Sequence, residues 1–437
     1  MIAGKSLYDA LPVWAQTLAV NVVSARNYRL KYGGAFPRLL VQLEANEKKS
    51  RDQLLAEQQE ALRRLLRYAA AHVPAYRGRS PENLAEWPVL DKATVAANPE
   101  KFLSDEFDPR RLMELRTSGT TGTPLAVRFP VETQQMEMAF RWRHKAWGGT
   151  PFLSRCAYVA GHPVVPPNQQ HPPFWRRDYV ERRLLCSSYH LSARNLSAYV
   201  EALRRYRPEF VHGYPSSLYL LAQAGGCPCK AVFTASETLL DFQRAAIERA
   251  FGAKVFNWYG NTEMTCNIVE CAAGNLHYRT DYGVLELLDD GTMICTGLNN
   301  PAMPLVRYRV GDRATAKSGD CPCGCAFPLM ERVEGRIEDY IRTPDGRWVG
   351  RLDHLFKDAV GVREAQIVQT RLEEIVIRVV RADGFDERPV LAEARQRLGE
   401  SVRVRFEYVE AIERTAAGKF RFIVSQLPRE PVESPRP

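Results

Sequence analysis

The chain opens on an apolar stretch, ALPVWAQTLAVNVVSA, which Gln16 and Asn21 interrupt and acidic Asp9 precedes. Those polar interruptions argue against a secretory signal peptide. We read a helix packed on the protein, with a membrane-surface helix as the alternative because Arg26, Arg29 and Lys31 follow it. Over residues 40–75 leucines recur at helical spacing among many charges, which predicts one long amphipathic packing helix. The middle of the chain then alternates strand-like and helix-like segments. In VFTASETL (Val232 to Leu239) and VFNWYGNTEM (Val255 to Met264), β-branched and aromatic residues run into a polar turn. Such alternation predicts an α/β fold with a mostly parallel sheet. After Tyr340 the texture changes: PDGRW signals a hairpin turn, AQIVQTRLEEIVIRVV alternates as strands do, and RPVLAEARQRLG is helical. We therefore expect a large N-terminal domain over residues 1–337, its first 75 residues helical. A hinge at Glu338–Asp339, a small α+β domain over 340–426 and a Pro-rich, unstructured tail at 427–437 would follow.

Composition narrows the class only slightly. At 437 residues the chain is long enough for two domains with cores, and 45% hydrophobic with 25% charged residues is ordinary for a globular enzyme. It has no run of about 20 apolar residues, so no segment is expected to span a membrane. The net charge of +9 suits ATP, CoA or an anionic leaflet, and no nucleic-acid motif accompanies it. The expectation is a cytoplasmic protein without a nucleic-acid partner and with at most peripheral membrane contact; a homodimer stays open.

The chemistry-bearing segments are concentrated in turns. RTSGTTGTPLAVRF, from Arg116 to Phe129, places the hydroxyls of Ser118, Thr120, Thr121 and Thr123 beside Gly119 and Gly122. Such a turn can point hydroxyls and backbone N–H groups at a polyphosphate. It is not the P-loop of kinases and GTPases, which needs a Lys-Ser/Thr pair after its last glycine, where this chain has Thr123 and Pro124. Glu237 and Glu263 each stand in a polar turn after a strand, where ligands meet α/β sheets. Asp312 follows a strand in MPLVRYRVGDRA, and Lys419 lies in a Gly-containing loop, ERTAAGKFRF. Alone, each of these would be a turn residue or a solvated charge.

In this order, together with EGRIEDYI from Glu334 to Ile341, these segments resemble the adenylate-forming enzymes: acyl- and aryl-CoA synthetases, peptide-synthetase adenylation domains and luciferases. The resemblance spans Leu115 to Phe422. Within that superfamily the chain is most similar to the phenylacetate-CoA ligase branch and its CapK-like relatives in polysaccharide gene clusters. LPVWAQTLAV…YGGAFPRLL and EFVHGYPSSLYLLA resemble the latter group in particular.

The resemblance implies an ATP-dependent, AMP-forming ligase that activates an aryl or acyl carboxylic acid as an acyl-adenylate. It then transfers the acyl group to a thiol such as CoA or a carrier. Ser118, Gly119, Thr120, Thr121, Gly122 and Thr123 would hold the phosphates, and Glu263 would hold Mg²⁺. Ser236, Glu237, Tyr259, Gly260, Asn261 and Thr262 would frame the nucleotide, Asp312 would take the ribose hydroxyls, and Arg336 would assist beside them. Tyr214, Pro215 and Trp258 would line the acid pocket, to which Trp142 and Trp147 could add flat walls. Lys419 would bridge the carboxylate and the α-phosphate from a C-terminal domain that is mobile about the hinge. An amine acceptor, or a nucleotide-binding scaffold without turnover, is the alternative.

Ten cysteines without a secretory signal point to reduced thiols or metal. Cys271-x5-His277 with Cys321-x-Cys323 would give a closed three-sulfur, one-nitrogen set, the type that structural zinc prefers. The pair Cys227 and Cys229, and buried free thiols, are the competing readings. The resemblance favours zinc, because some relatives in the phenylacetate-ligase branch carry a Cys, a His and a C-x-C-G element at corresponding places. Cys325 stands where relatives often have Arg, which leaves the fourth ligand open.

Overall fold

The computed structural model describes residues 7–117, 125–192, 194–237, 239, 241–334, 341–349, 352–356, 359–410, 412 and 422–427. These fall into two compact units. The first lies within Met1–Thr117 and Leu125–Ile337, and the described residues of the second begin at Ile341.

The first unit starts with three helices, Val13–Tyr32, Phe36–Asn46 and Arg51–His72. The single helix expected over 40–75 is thus two. Ser50 caps the second: its hydroxyl accepts from the Gln53 N–H at 3.3 Å while the Gln53 side chain accepts from the Ser50 N–H at 3.0 Å. This capping box starts a new helix where the leucine spacing alone runs on.

A short hairpin, β1 (Met113–Arg116) with β2 (Ala126–Phe129), precedes the main sheet. That sheet comprises β3 (Cys156–Ala160), β4 (Trp175–Asp178), β5 (Arg183–Ser187), β6 (Phe210–Gly213), β7 (Ala231–Ala235) and β8 (Val255–Gly260). It continues with β9 (Asn267–Glu270), β10 (Leu276–Tyr278), β11 (Gly283–Leu287), β12 (Thr292–Gly297), β13 (Tyr308–Lys317) and β14 (Leu329–Glu334). The strand order is β11-β12-β13-β14-β10-β9-β8-β7-β6-β3-β5-β4. Parallel pairing runs from β5 through β3, β6 and β7 to β8, and the other pairings are antiparallel. The α/β class stands, but the expected parallel character is confined to that run. The helices Leu196–Tyr206, Pro215–Gln223 and Asp241–Phe251 carry the chain back between strands there, whereas β9 and its successors are joined by short connections that favour antiparallel neighbours.

The parallel strands are apolar on both faces. Val211, Val232 and Val255 pack with Leu218, Leu221, Ile247 and Phe251, while Phe210, Phe233 and Phe256 point the other way, against Phe140 and Trp142. The two-residue period of a strand makes one sequence serve two cores. On the second face, buried charges tie helix to sheet. Arg143 pairs with Asp281 and, at 3.3 Å, with Glu47; Arg279 pairs with Glu47; and Asn46 donates to Asp281 at 2.9 Å.

The second unit has a four-stranded sheet of β17 (Val362–Arg371), β18 (Glu374–Arg381), β19 (Arg403–Tyr408) and β20 (Ile423–Ser425), in the order β19-β18-β17-β20. The helix Glu387–Leu398 packs with it around Val390, Ala394 and Leu398. The turn signal PDGRW forms a small hairpin, β15 (Ile341–Arg342) against β16 (Trp348–Val349), with Gly346 at φ 82°. Only a glycine takes that left-handed conformation without cost.

Burial alone would raise the Asp281 pKa, but Arg143 and Arg279 outweigh it and hold the carboxyl below its ordinary value. A group depressed in this way contributes stability that is present above its unfolded pKa and lost as pH falls through the folded one. Asp281→Ala, which leaves the buried Arg143 with Glu47 as its remaining ion-pair partner, is expected to cost about 3 kcal/mol in denaturant unfolding at neutral pH. The wild type should lose that advantage over the variant on acidification below the usual carboxylate range.

Candidate functional site

Because β6, β7 and β8 are parallel, the turns after them open at the same end of the sheet. Tyr214 follows β6, Ser236 and Glu237 follow β7, and Tyr259 and Gly260 close β8 ahead of Asn261, Thr262 and Glu263. Ser236 is held at φ 73°, a left-handed conformation that a non-glycine residue adopts only under constraint. The Glu237 carboxylate accepts from the Ser216 N–H at 3.1 Å. It thereby satisfies an otherwise unpaired donor in the first turn of the helix that begins at Pro215 and joins two of the sequence motifs.

Asp312 comes from β13, far along the chain, yet its Oδ2 accepts from the Tyr259 hydroxyl at 2.7 Å. Burial first, and then the Asp312 carboxylate, raise the Tyr259 phenol well above its ordinary value, so it remains a donor. Glu263 is oriented in the same manner: its Oε1 accepts from the Tyr308 hydroxyl at 2.9 Å. Tyr308 was not singled out from the sequence. It stands four residues before Asp312 on one strand, and the period of two puts both on one face. Asn261 closes its own turn, accepting from the Thr265 N–H at 2.9 Å. Gly260 has a packing reason to be glycine, since a Cβ there would meet the Trp258 Nε1 at 2.8 Å.

Around Tyr214 the structure gathers further rings. Its hydroxyl lies 3.2 Å from where a Cβ on Gly161 would be, and Tyr158 stacks on His212 at 4.5 Å between ring centroids. His212 was also missed. Its buried Nδ1 has no hydrogen-bond partner among the described residues, and burial lowers its pKa well below the ordinary histidine value. An imidazole in that state is neutral and open to a ligand or a water. Pro215 is buried as the first residue of its helix, the position where the missing N–H costs nothing. Trp142 is core, and Trp147 packs beside Cys271 and Cys321, so the two tryptophans lie in those surroundings and do not wall a pocket with Tyr214. Ser118, Gly119, Thr120, Thr121, Gly122, Thr123, Arg336, Lys419 and the hinge Glu338–Asp339 lie outside the described residues.

The second constellation sits at two neighbouring connections. Cys271 and His277 flank the β9–β10 turn, and Cys321 and Cys323 stand between β13 and β14, which pairs with β10. The donor atoms of these four residues all lie within 4.8 Å of one another. Cys271 Sγ is 3.6 Å from Cys321 Sγ, and Cys323 Sγ is 3.4 Å from His277 Nε2. Tetrahedral zinc with Zn–S near 2.3 Å demands ligand separations of about 3.8 Å, so the set fits the ion. His277 Nδ1 lies 3.0 Å from the Phe327 carbonyl, which leaves Nε2 as the nitrogen turned toward the Cys323 sulfur. Asn275 donates to the Cys321 sulfur at 3.3 Å. Cys325 turns instead toward Glu47 and Arg279, while Cys227 belongs to a different core.

Known proteins of similar sequence extend over most of the chain. The chain is 26% identical over 372 residues to Protein CapK of Staphylococcus aureus, covering 79% of this chain and 81% of that one. It is 24% identical over 357 residues to a phenylacetate-coenzyme A ligase of Thermus thermophilus, covering 67% and 72%. The family described as CapK C-terminal domain matches residues 341–426. Over most of its length the chain is thus similar to CapK and to phenylacetate-coenzyme A ligases. A solved structure of 2-hydroxyisobutyryl-CoA ligase in the postadenylation state shares the fold, with TM-score 0.55 and 20% identity over 87% of this chain and 91% of that one. Among the described residues no helix is long and apolar enough to cross a membrane.

Tyr259→Phe removes one donor from Asp312 without changing the ring. The expected cost is about 1–2 kcal/mol in chemical unfolding, from the charged hydrogen bond lost. An unchanged unfolding midpoint would show that this bond does not fix Asp312.

Proposed function

We propose that the chain is an ATP-dependent, AMP-forming ligase that activates a carboxylic acid and passes the acyl group to a thiol such as CoA. The observation that carries this reading is the pair of bonds Tyr259–Asp312 and Tyr308–Glu263 at the ends of the parallel strands. They hold two carboxylates, which in this reading would accept the ribose hydroxyls and bind a metal, with tyrosines from segments about 50 residues apart. The relatives named as phenylacetate-coenzyme A ligases support CoA as the acceptor.

In this reading a carboxylate oxygen attacks the α-phosphorus of ATP, and the bond to the departing pyrophosphate breaks. The residues Ser118 to Thr123 hold that pyrophosphate. Asp312 takes the ribose hydroxyls with its acceptor-only side chain, and Ser236, Glu237, Tyr259, Gly260, Asn261 and Thr262 shape the rest of the nucleotide site, with Arg336 beside the ribose. Glu263, half-buried and oriented by Tyr308, would hold Mg²⁺, which supplies charge neutralisation at the phosphates. Lys419, from the second unit, aligns the carboxylate with the α-phosphate, which assigns the Glu338–Asp339 segment as a hinge and that unit as the moving lid. In the second step the thiolate sulfur attacks the acyl carbon and AMP leaves with the bonding pair. The acid lies against Tyr214 and the Tyr158–His212 stack, with Trp258 nearby; the unpartnered His212 nitrogen supports that placement.

A structural zinc on Cys271, His277, Cys321 and Cys323 is part of the proposal. Four protein ligands leave no open position, so the ion would hold two turns together and take no part in the reaction.

An acid library assayed for pyrophosphate release, with and without CoA, is expected to give one acid class whose thioester forms only when CoA is present. Lys419→Ala should slow pyrophosphate release by about a hundredfold or more and spare transfer from a supplied acyl-adenylate, because its charge serves only the first transition state. Equal loss of both half-reactions would contradict the lid assignment, and no release with any acid would contradict the ligase reading. Metal analysis of the purified chain should find about one zinc, lost together with thermal stability in Cys271→Ser or Cys323→Ser and retained in Cys325→Ser. Full zinc in the first two variants would remove the site and leave the ligase reading intact.

A further inference from the structure

The helix Val13–Tyr32 is built inside out. Its buried side chains are Gln16 and Ser24, not its apolar ones. The Gln16 carbonyl accepts from the buried Arg176 guanidinium, its Nε2 donates to the Leu11 carbonyl at 2.9 Å, and Ser24 donates to Asp178 at 2.9 Å. Asn21 grips the edge strand β4 and its end, donating to the Arg177 carbonyl at 2.8 Å and accepting from the Tyr179 N–H at 2.8 Å. Lys31 pairs with Glu181 at 2.8 Å. The helix is therefore held by hydrogen bonds and an ion pair, which frees its apolar side chains from holding it.

Those side chains face outward. Trp14 is 72% exposed, Leu18 59% and Val22 62%, and the spacing of four places them on one face. Leu7 at 69% and Val23 at 57% extend the patch along the chain. Arg26 and Arg29 follow the stripe and are exposed, as is Arg177, whose guanidinium lies 5.0 Å over the ring of Tyr179, itself 62% exposed. The helix carries no carboxylate. The acids beneath it are turned in and neutralised: Asp178 and Glu181 are 0% and 3% exposed and both pair with Arg183.

We propose that this face seats on an anionic lipid bilayer, with Trp14, Leu18 and Val22 in the acyl boundary and Arg26, Arg29 and Arg177 at the headgroups. The helix is too short of apolar residues to cross a membrane, and its exposed stripe gives Trp14, Leu18 and Val22 to acyl chains and Arg26 and Arg29 to anionic headgroups. Charge selects the lipid over a second copy of the chain, since a second copy would set the same arginines against each other, whereas an anionic leaflet attracts each of them. The seat anchors the first unit through β4, so a lipid-borne or membrane-delivered acid or acceptor could be met at the surface.

Flotation of the full chain with vesicles tests this. The chain should float with an equal mixture of phosphatidylcholine and phosphatidylglycerol, and far less with phosphatidylcholine alone. Trp14→Ser combined with Leu18→Ser and Val22→Ser should cut the partition by at least about tenfold while leaving the unfolding midpoint unchanged, because these side chains point to solvent. Arg26→Ser with Arg29→Ser should weaken binding and flatten its dependence on salt. Failure of the wild type to float would overturn the proposal. So would equal flotation of both variants, or a wild-type dimer in light scattering that the apolar variant dissociates without vesicle binding, which would assign the face to self-association.

Discussion

Everything at the candidate site follows from one constraint: a strand followed by a helix must be re-entered in parallel. The helices after β6 and β7 bring the chain back so that β6, β7 and β8 start at the same edge and end at the same edge. Three polar turns, written into the sequence at Tyr214, Glu237 and Glu263, are thereby gathered at one end of the sheet. The antiparallel strands that follow reverse direction at each short connection, and this lets β13 deliver Asp312 and Tyr308 to the same place from the other half of the sheet. The polar network there pays little to exist, because Asp312 and Glu263 each have a phenolic donor and Glu237 has the Ser216 N–H.

Buried charge does the rest of the fastening. Arg143, Arg279, Glu47 and Asp281 join the N-terminal helices to the sheet through ion pairs that are almost wholly withdrawn from solvent. Arg279 also lies 3.7 Å over the ring of Phe327, two residues beyond Cys325. One network therefore touches both the helical entry of the chain and the loop that bears Cys321 and Cys323. Hydrogen bonds take the same role under the helix Val13–Tyr32, where Gln16, Asn21 and Ser24 do what leucines do elsewhere. Polar anchoring specifies one orientation sharply, since a rotated helix would leave buried donors and acceptors unpaired.

Much was legible beforehand. The motif order pointed to the superfamily, β-branched and aromatic runs marked β7 and β8, alternation marked β17 and β18, and the spacing of Cys271, His277, Cys321 and Cys323 named a donor set that the fold brings within 4.8 Å. What went unread had local causes. The Ser50–Gln53 box was masked by leucines whose spacing continued across it, and Tyr308 and His212 were hidden because a tyrosine or histidine in an apolar strand looks like core. Which residues pack the N-terminal helix was also unread: its buried side chains are the polar Gln16 and Ser24.

The sequence by itself determined which segments are strands and helices and which turns carry hydroxyls, carboxylates and thiols, because those depend on periodicity and turn chemistry within a few residues. Only the tertiary structure decided which of those turns meet. Asp312 reaches Tyr259, and His277 approaches Cys323, through pairings between strands about 50 residues apart. It also decided which face of the first helix is covered, since that depends on the unpaired groups that β4 offers, and a helix has no record of its neighbour in its own spacing.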